Sequence, residues 1–313
     1  RDQVFRNENM KEFLVKLLLF FATFTLIDVV LGNTLLFCAE HAKGGDTARQ
    51  NFIINETTDN ILVFGSSRAL RHYNAQMISD SLSTECHNCG YSGMGIIFNY
   101  GQILLVKKRY NPNVIIYDIT PDCDLLPGDK QMYLRWLKPY YCSEVKEIFE
   151  NVDKMQKYKM MSRLYRCNSL FMHFIPDYLF PVKSMGVRGF RPLDGEMDTM
   201  KIVKKEVKRN KEEITFDSLK ISYFNKLASA PPKKTTIVFV VSPTWYGMDT
   251  MKIVPIRKIC LQRNIPLVDF SNNPKYVNNN VYFKDGEHLN ARGADEFTKD
   301  LIHLLKKQKV IQW

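Results

Sequence analysis

The chain has 313 residues, 45% of them apolar, and its 44 lysines and arginines exceed its 33 acids to give a net charge of +11. That length holds one large domain with an insertion, or two modest ones, and the apolar share supports a real core. Seven scattered cysteines exclude a disulfide scaffold, while the basic balance suits an anionic glycan or lipid headgroups as readily as nucleic acid.

The first segment, residues 1–38, reads as a membrane anchor. Between Leu17 and Phe37 only Asp28 is charged, and about 20 apolar residues of helix cross a hydrocarbon layer. No A-x-A cleavage site follows, and Phe37 before Cys38 does not fit a lipoprotein box. Met10 resembles a natural start, with Lys11 and Lys16 ahead of the span. The run is therefore expected to be a signal anchor in the cytoplasmic membrane, amino end inside and the bulk of the chain outside. Asp28 is costly within it and is expected to face a protein partner. Residues 39–58 are polar and turn-rich and read as a linker.

Residues 59–313 then supply five short apolar runs: ILVFG at 61–65, a weaker one at 84–89, VIIYDI at 114–119, TTIVFVVS at 235–242 and IPLVDF at 265–270. Helical spacing fills 69–82, 94–108, 215–229 and 248–263. Alternating strands and helices predict an α/β fold, a flavodoxin-like three-layer sandwich on a five-stranded parallel sheet. Residues 122–212 break the alternation and read as a helical insertion between strands 3 and 4. Within it, 183–198 reads as an ordered loop, and KIVKKEVKRNKEE at 201–213 as a solvated amphipathic helix rather than a nucleic-acid arm. Cys86 and Cys89 form a lone CxxC without a second ligand pair, so no metal or redox role is expected there. After strand 5, Asn290 is placed to cap a last helix whose apolar face is Phe297, Leu301, Leu304 and Leu305.

The candidate site comes from the ends of strands. In open parallel sheets ligands bind at the carboxyl ends of strands, where strand order reverses. Gly65 permits a sharp turn there, and Ser67 follows at the start of a helix, exposed to the crevice. Capping is the plainer role for Ser66 and Ser67. A nucleophilic hydroxyl, however, needs a base, and the base needs an orienting group. Asp285 and His288 stand three apart on a loop after strand 5 and are suited to both tasks.

At these residues the sequence resembles the SGNH (GDSL-type) hydrolases, over roughly 60–120 and 235–305. Val63-Phe64-Gly65-Ser66-Ser67 matches the first family block, with Ser67 at the nucleophile. Asn88-Cys89-Gly90-Tyr91-Ser92-Gly93 matches the second, which implies the Gly93 N–H as an oxyanion donor beside that of Ser67. Asp285-Gly286-Glu287-His288 matches the last. The third block departs: Tyr117-Asp118-Ile119-Thr120-Pro121-Asp122 lacks the usual asparagine, leaving Thr120 as a substitute donor. The resemblance implies a serine esterase or O-acyltransferase for acylated envelope glycans, using a Ser–His–Asp mechanism without a cofactor. Its expected partners are an acylated polysaccharide, the membrane and a membrane O-acyltransferase, and not nucleic acid. The alternative is a non-catalytic accessory subunit of such a transferase.

Overall fold

The computed structural model describes residues 2–182, 186–198, 214–229 and 235–307, with side chains from Asn9 onward. The helices, in chain order, begin with α1 (Asp2–Glu40), α2 (Gly45–Asn51), α3 (Ser67–His72), α4 (Ala75–Leu82), α5 (Ile96–Lys107) and α6 (Pro121–Asp124). Then come α7 (Ser143–Val152), α8 (Gln156–Lys159), α9 (Arg163–Cys167), α10 (Phe171–Leu179), α11 (Ser218–Ser229), α12 (Val254–Arg263) and α13 (Ala291–Lys307). The strands are β1 (Ile61–Gly65), β2 (Cys86–Asn88), β3 (Val114–Asp118), β4 (Thr236–Val241) and β5 (Leu267–Asp269). The chain divides into two compact units, residues 1–48 with 138–183, and 49–137 with 184–313.

The second unit is the predicted α/β fold. Its five strands are all parallel, in the order β2-β1-β3-β4-β5. β1 and β3 are buried along their whole length, as expected of apolar runs covered on both faces. Alternation sorts the two sides. Ile61, Val63, Val114 and Ile116 share one core with Tyr73, just after α3, Ile78 of α4, and Phe297 and Leu301 of α13. On the other side Tyr117 meets Phe224 of α11, with ring centroids 5.3 Å apart, and Asn99 of α5. Strand order reverses beside β1 and β3, whose register pairs Gly65 with Asp118 at the carboxyl ends.

Several local expectations hold, and some shift. Asn290 caps α13 by accepting the Gly293 N–H at 2.9 Å, and Phe297, Leu301 and Leu305 are buried beneath it. The helix expected at 69–82 is instead two, because Asn74 leaves the helical conformation and caps α4 through the Met77 N–H. The described part of the insertion is helical and has no strand, only an isolated bridge between Val187 and Phe190. The run 201–213 lies outside the described residues.

Residues 39–58 are not a linker. They contain α2 and a π-helical turn, Phe52–Glu56, and Ile53, Ile54, Arg49 and Gln50 are buried. The polar side chains that suggested solvent find distant partners instead. Gln50 accepts from Gln102 at 2.6 Å, and Arg49 donates to the Asn88 carbonyl at 2.7 Å.

In the first unit, α1 is one continuous helix, long and apolar enough over Asn9–Glu40 to cross a membrane. Asp28 does not wait for a second protein. It accepts from the Ser162 hydroxyl at 2.5 Å and from the N–H groups of Arg163 and Leu164 at 3.0 and 3.1 Å, at the amino end of α9. Gly32, one turn on, lets α9 approach, since an added Cβ would lie 2.4 Å from that of Arg163.

Candidate active site

The turn after β1 explains its glycine. Gly65 has φ +143°, and a Cβ there would sit 2.7 Å from the Asp118 carbonyl and 2.9 Å from Ala69. Only glycine allows the chain to leave β1 this close to β3. The serines then diverge. Ser66 is extended and buried, makes no side-chain cap, and places its Oγ 2.6 Å from Thr120 Oγ1. Ser67 opens α3 and is partly exposed.

The structure brings three of the predicted residues together. Ser67 Oγ lies 2.8 Å from His288 Nε2, across 221 residues of sequence. His288 Nδ1 lies 3.0 Å from both Asp285 oxygens. An ionised carboxylate only accepts, so Nδ1 carries the proton and Nε2 is left to accept from the serine hydroxyl. The loop shape follows from its own sequence. Asp285 Oδ1 also accepts the Glu287 and His288 N–H groups at 2.8 and 2.9 Å, an Asx-type turn. Gly286 makes room for Tyr246, whose ring would be 2.2 Å from an added Cβ, and accepts the Trp245 N–H at 3.0 Å. Partial burial would raise the Asp285 carboxyl, but the His288 ring and the two N–H groups together hold it below its ordinary value.

Gly93 and Thr120 are arranged differently. Gly93 takes φ +73° at the third position of a turn closed by the Met94 N–H on the Tyr91 carbonyl, with open space around it. Asn88, from the same block, fastens the α3 end to the loop after β2 by donating to the Ala69 and Tyr73 carbonyls while accepting from Gly90. The Thr120 hydroxyl is turned into the interior, against Ser66 and 3.2 Å from Arg68 Nε. No asparagine or other amide side chain stands at this position of the third block.

Residues that sequence reasoning passed over hold the floor of the site. Arg68 is 3% exposed and donates to the Ile119 and Ser242 carbonyls as well as to Thr120. Its Nε lies 3.9 Å from Asp118, which is fully buried and accepts from Tyr73 OH, Ser242 N–H and Ser242 Oγ. Burial pushes the Asp118 carboxyl up, against the opposing pull of Arg68 and these hydrogen bonds. His72, at the other end of α3 from Ser67, accepts the Leu289 N–H at 3.0 Å and so ties the helix of the serine to the loop of the histidine. Burial first, then the neighbouring His288 and Arg68, push its pKa well down and keep it neutral for that task. A lone arginine directly after two serines was the available signal for this network.

Asp124 gives the site a pH signature. It accepts from the Thr120 N–H at 2.7 Å and from Tyr117 OH at 2.8 Å, and burial lifts its pKa from 3.8 to about 7. Between those values the folded chain keeps a proton that the unfolded chain has lost. Stability from this group therefore falls as pH rises through that window, by about 1.4 kcal/mol per pH unit. Asp124→Asn removes that dependence, so the difference in urea midpoint between variant and parent should change from pH 5 to pH 8; parallel curves would refute it.

Two surface depressions, one including Asn60, Gln76 and Arg188 and one including Arg257, Asp269 and Asn273, are not lined by the triad. Among the described residues there is also no group of three or more His, Cys, Asp or Glu side chains suited to a metal ion.

No family model matches the chain, and no curated protein matches it in sequence. Among solved structures it is similar to a family two carbohydrate esterase from Clostridium thermocellum, an active-site mutant in complex with celluohexase. The two share 10% identity and a TM-score of 0.38 over 79% of this chain and 63% of that one, so the chain spans less than two thirds of that structure's length. It is also similar to an acetyl xylan esterase, with 12% identity and a TM-score of 0.38 over 78% of this chain and 99% of that one. The chemistry is therefore read from the site itself.

Proposed function

We propose that this chain is a serine-dependent carbohydrate esterase or O-acyltransferase, of the SGNH kind, acting on acylated envelope glycans from a membrane anchor, with its catalytic unit outside the cytoplasm. The observation that carries the reading is the 2.8 Å contact between Ser67 Oγ and His288 Nε2, with Asp285 on the far side of the ring. His288 takes the serine proton as Oγ bonds to the ester carbonyl carbon, and Asp285 stabilises the imidazolium. The N–H groups of Ser67 and Gly93 hold the oxyanion. His288 then returns the proton to the departing sugar oxygen. Water or another sugar hydroxyl, deprotonated by the same ring, attacks the acyl-serine and frees Oγ. The membrane, an acylated polysaccharide and a membrane O-acyltransferase are the partners of this reading, and nucleic acid has no place in it.

The deciding experiment incubates the full chain in detergent with an acetylated oligosaccharide and an unacetylated acceptor, followed by mass spectrometry. Free acetate marks an esterase, and an acetylated acceptor a transferase. One observation favours a second reading, the accessory subunit: the Thr120 hydroxyl is engaged with Ser66 and Arg68 rather than open, and a lost oxyanion donor costs on the order of 10² to 10³ in rate. Neither product, together with no covalent labelling of Ser67, would favour that subunit.

A further inference from the structure

Along α1 the environment changes at one residue. Every side chain from 9 to 27 is exposed, and from Asp28 onward the side chains at 28, 29, 32, 35, 36, 38 and 39 are covered or partly covered. The helix is 39 residues long, about 58 Å, nearly twice the ~30 Å of a hydrocarbon layer. Residues 10–27 alone make about 27 Å. Their only charged side chains, Lys11, Glu12 and Lys16, cluster at the amino end, where long chains reach the interface.

At the level of Asp28 lies the tip formed by α8 and the start of α9. Met161 is 77% exposed and precedes Ser162, the residue bonded to Asp28. Met155 and Tyr158 are 54% and 56% exposed on the same turn, beside the exposed Lys154, Lys157 and Lys159. Lys157 lies 4.7 Å from the centre of the Tyr158 ring. Apolar and aromatic side chains set among lysines match the boundary between anionic headgroups and acyl chains.

On the reading that α1 spans a membrane, we propose that Asp28 marks the edge of the hydrocarbon layer and that residues 154–161 form a second, interfacial contact with anionic lipid. The span is thereby set at about residues 10–27, earlier than the apolar run 17–37. A bilayer centred on that run would draw the three lysines into hydrocarbon, which is unfavourable for charged groups. The tip and the α9 cap on Asp28 fix the depth and tilt of α1.

The test uses the full chain in phosphatidylglycerol vesicles whose acyl chains are brominated either near the headgroup or near the chain end. Phe20→Trp, Met161→Trp and Leu179→Trp each add one reporter, read as the difference from the parent. Expected are quenching at 20 by deep bromines, quenching at 161 by shallow bromines and none at 179. Quenching at 20 with none at 161 overturns the lipid contact and leaves the span standing. Quenching at both 161 and 179 overturns the depth. An unquenched reporter at 20 means that α1 itself does not cross, a separate failure.

Discussion

Ser67→Ala is expected to abolish acyl-ester turnover, by roughly 10³-fold or more, without unfolding the chain. The serine side chain is partly exposed, and its Oγ bonds His288 rather than the core, so its loss leaves no buried polar group unpaired. The stability of the variant should accordingly lie within about 0.5 kcal/mol of the parent. His288→Ala should cost a similar factor, and the double variant little more, because nucleophile and base act as a unit. Labelling by a fluorophosphonate probe reads the same hydroxyl independently of the glycan. Strong labelling of Ser67→Ala, or additive losses in the double variant, would place the chemistry elsewhere. Asp285→Asn should have a smaller effect than in a buried triad, since its side chain is 52% exposed and partly screened.

The largest loss of stability is expected from Asp118→Ala. The carboxylate is fully buried and receives three hydrogen bonds, with Arg68 as its charged neighbour. Removing it leaves a guanidinium buried without its counter-charge, which costs about 3–5 kcal/mol. For a chain of this size that lowers Tm by on the order of 10 °C. Replacing Arg68 by Met in the same background should recover part of the loss, because the two residues are coupled. Circular dichroism melts of the single and double variants measure both effects. A loss under about 1 kcal/mol would show that neighbouring oxygens already satisfy Arg68. Activity should fall with stability in Asp118→Ala, since Arg68 directly follows Ser67, the proposed nucleophile.

How much of this was legible depended on whether a residue's partner was near in sequence or implied by pattern. β1, β3 and β4 were legible because continuous burial on both faces demands continuous apolar runs. β2 was faint because it is a three-residue edge strand. The Asp285-x-x-His288 pair was legible because its geometry is local, and Ser67, for which capping was the plainer role, only through the combination of its turn with that pair. Segment 39–58 was misread because buried polar residues resemble solvated ones until their partners are known, and Gln50 finds its partner 52 residues away. The partner of Asp28 lies 134 residues on, and nothing in the local pattern marks Asp28 as a cap for another helix. Asp118 and Arg68 were visible as residues but not as a pair, since a charge at the end of an apolar strand is equally compatible with solvent.

The reach of 221 residues between Ser67 and His288 also has a consequence during synthesis. At roughly 5–20 residues per second, the hydroxyl leaves the ribosome some 10–45 seconds before the ring it bonds. On the proposed mechanism the nascent polypeptide carries an unassisted alcohol throughout that interval, unable to attack an ester or an acyl donor met on the way out. On the proposed mechanism a chain cut short before residue 288 lacks its base and is expected to be inert rather than partly active.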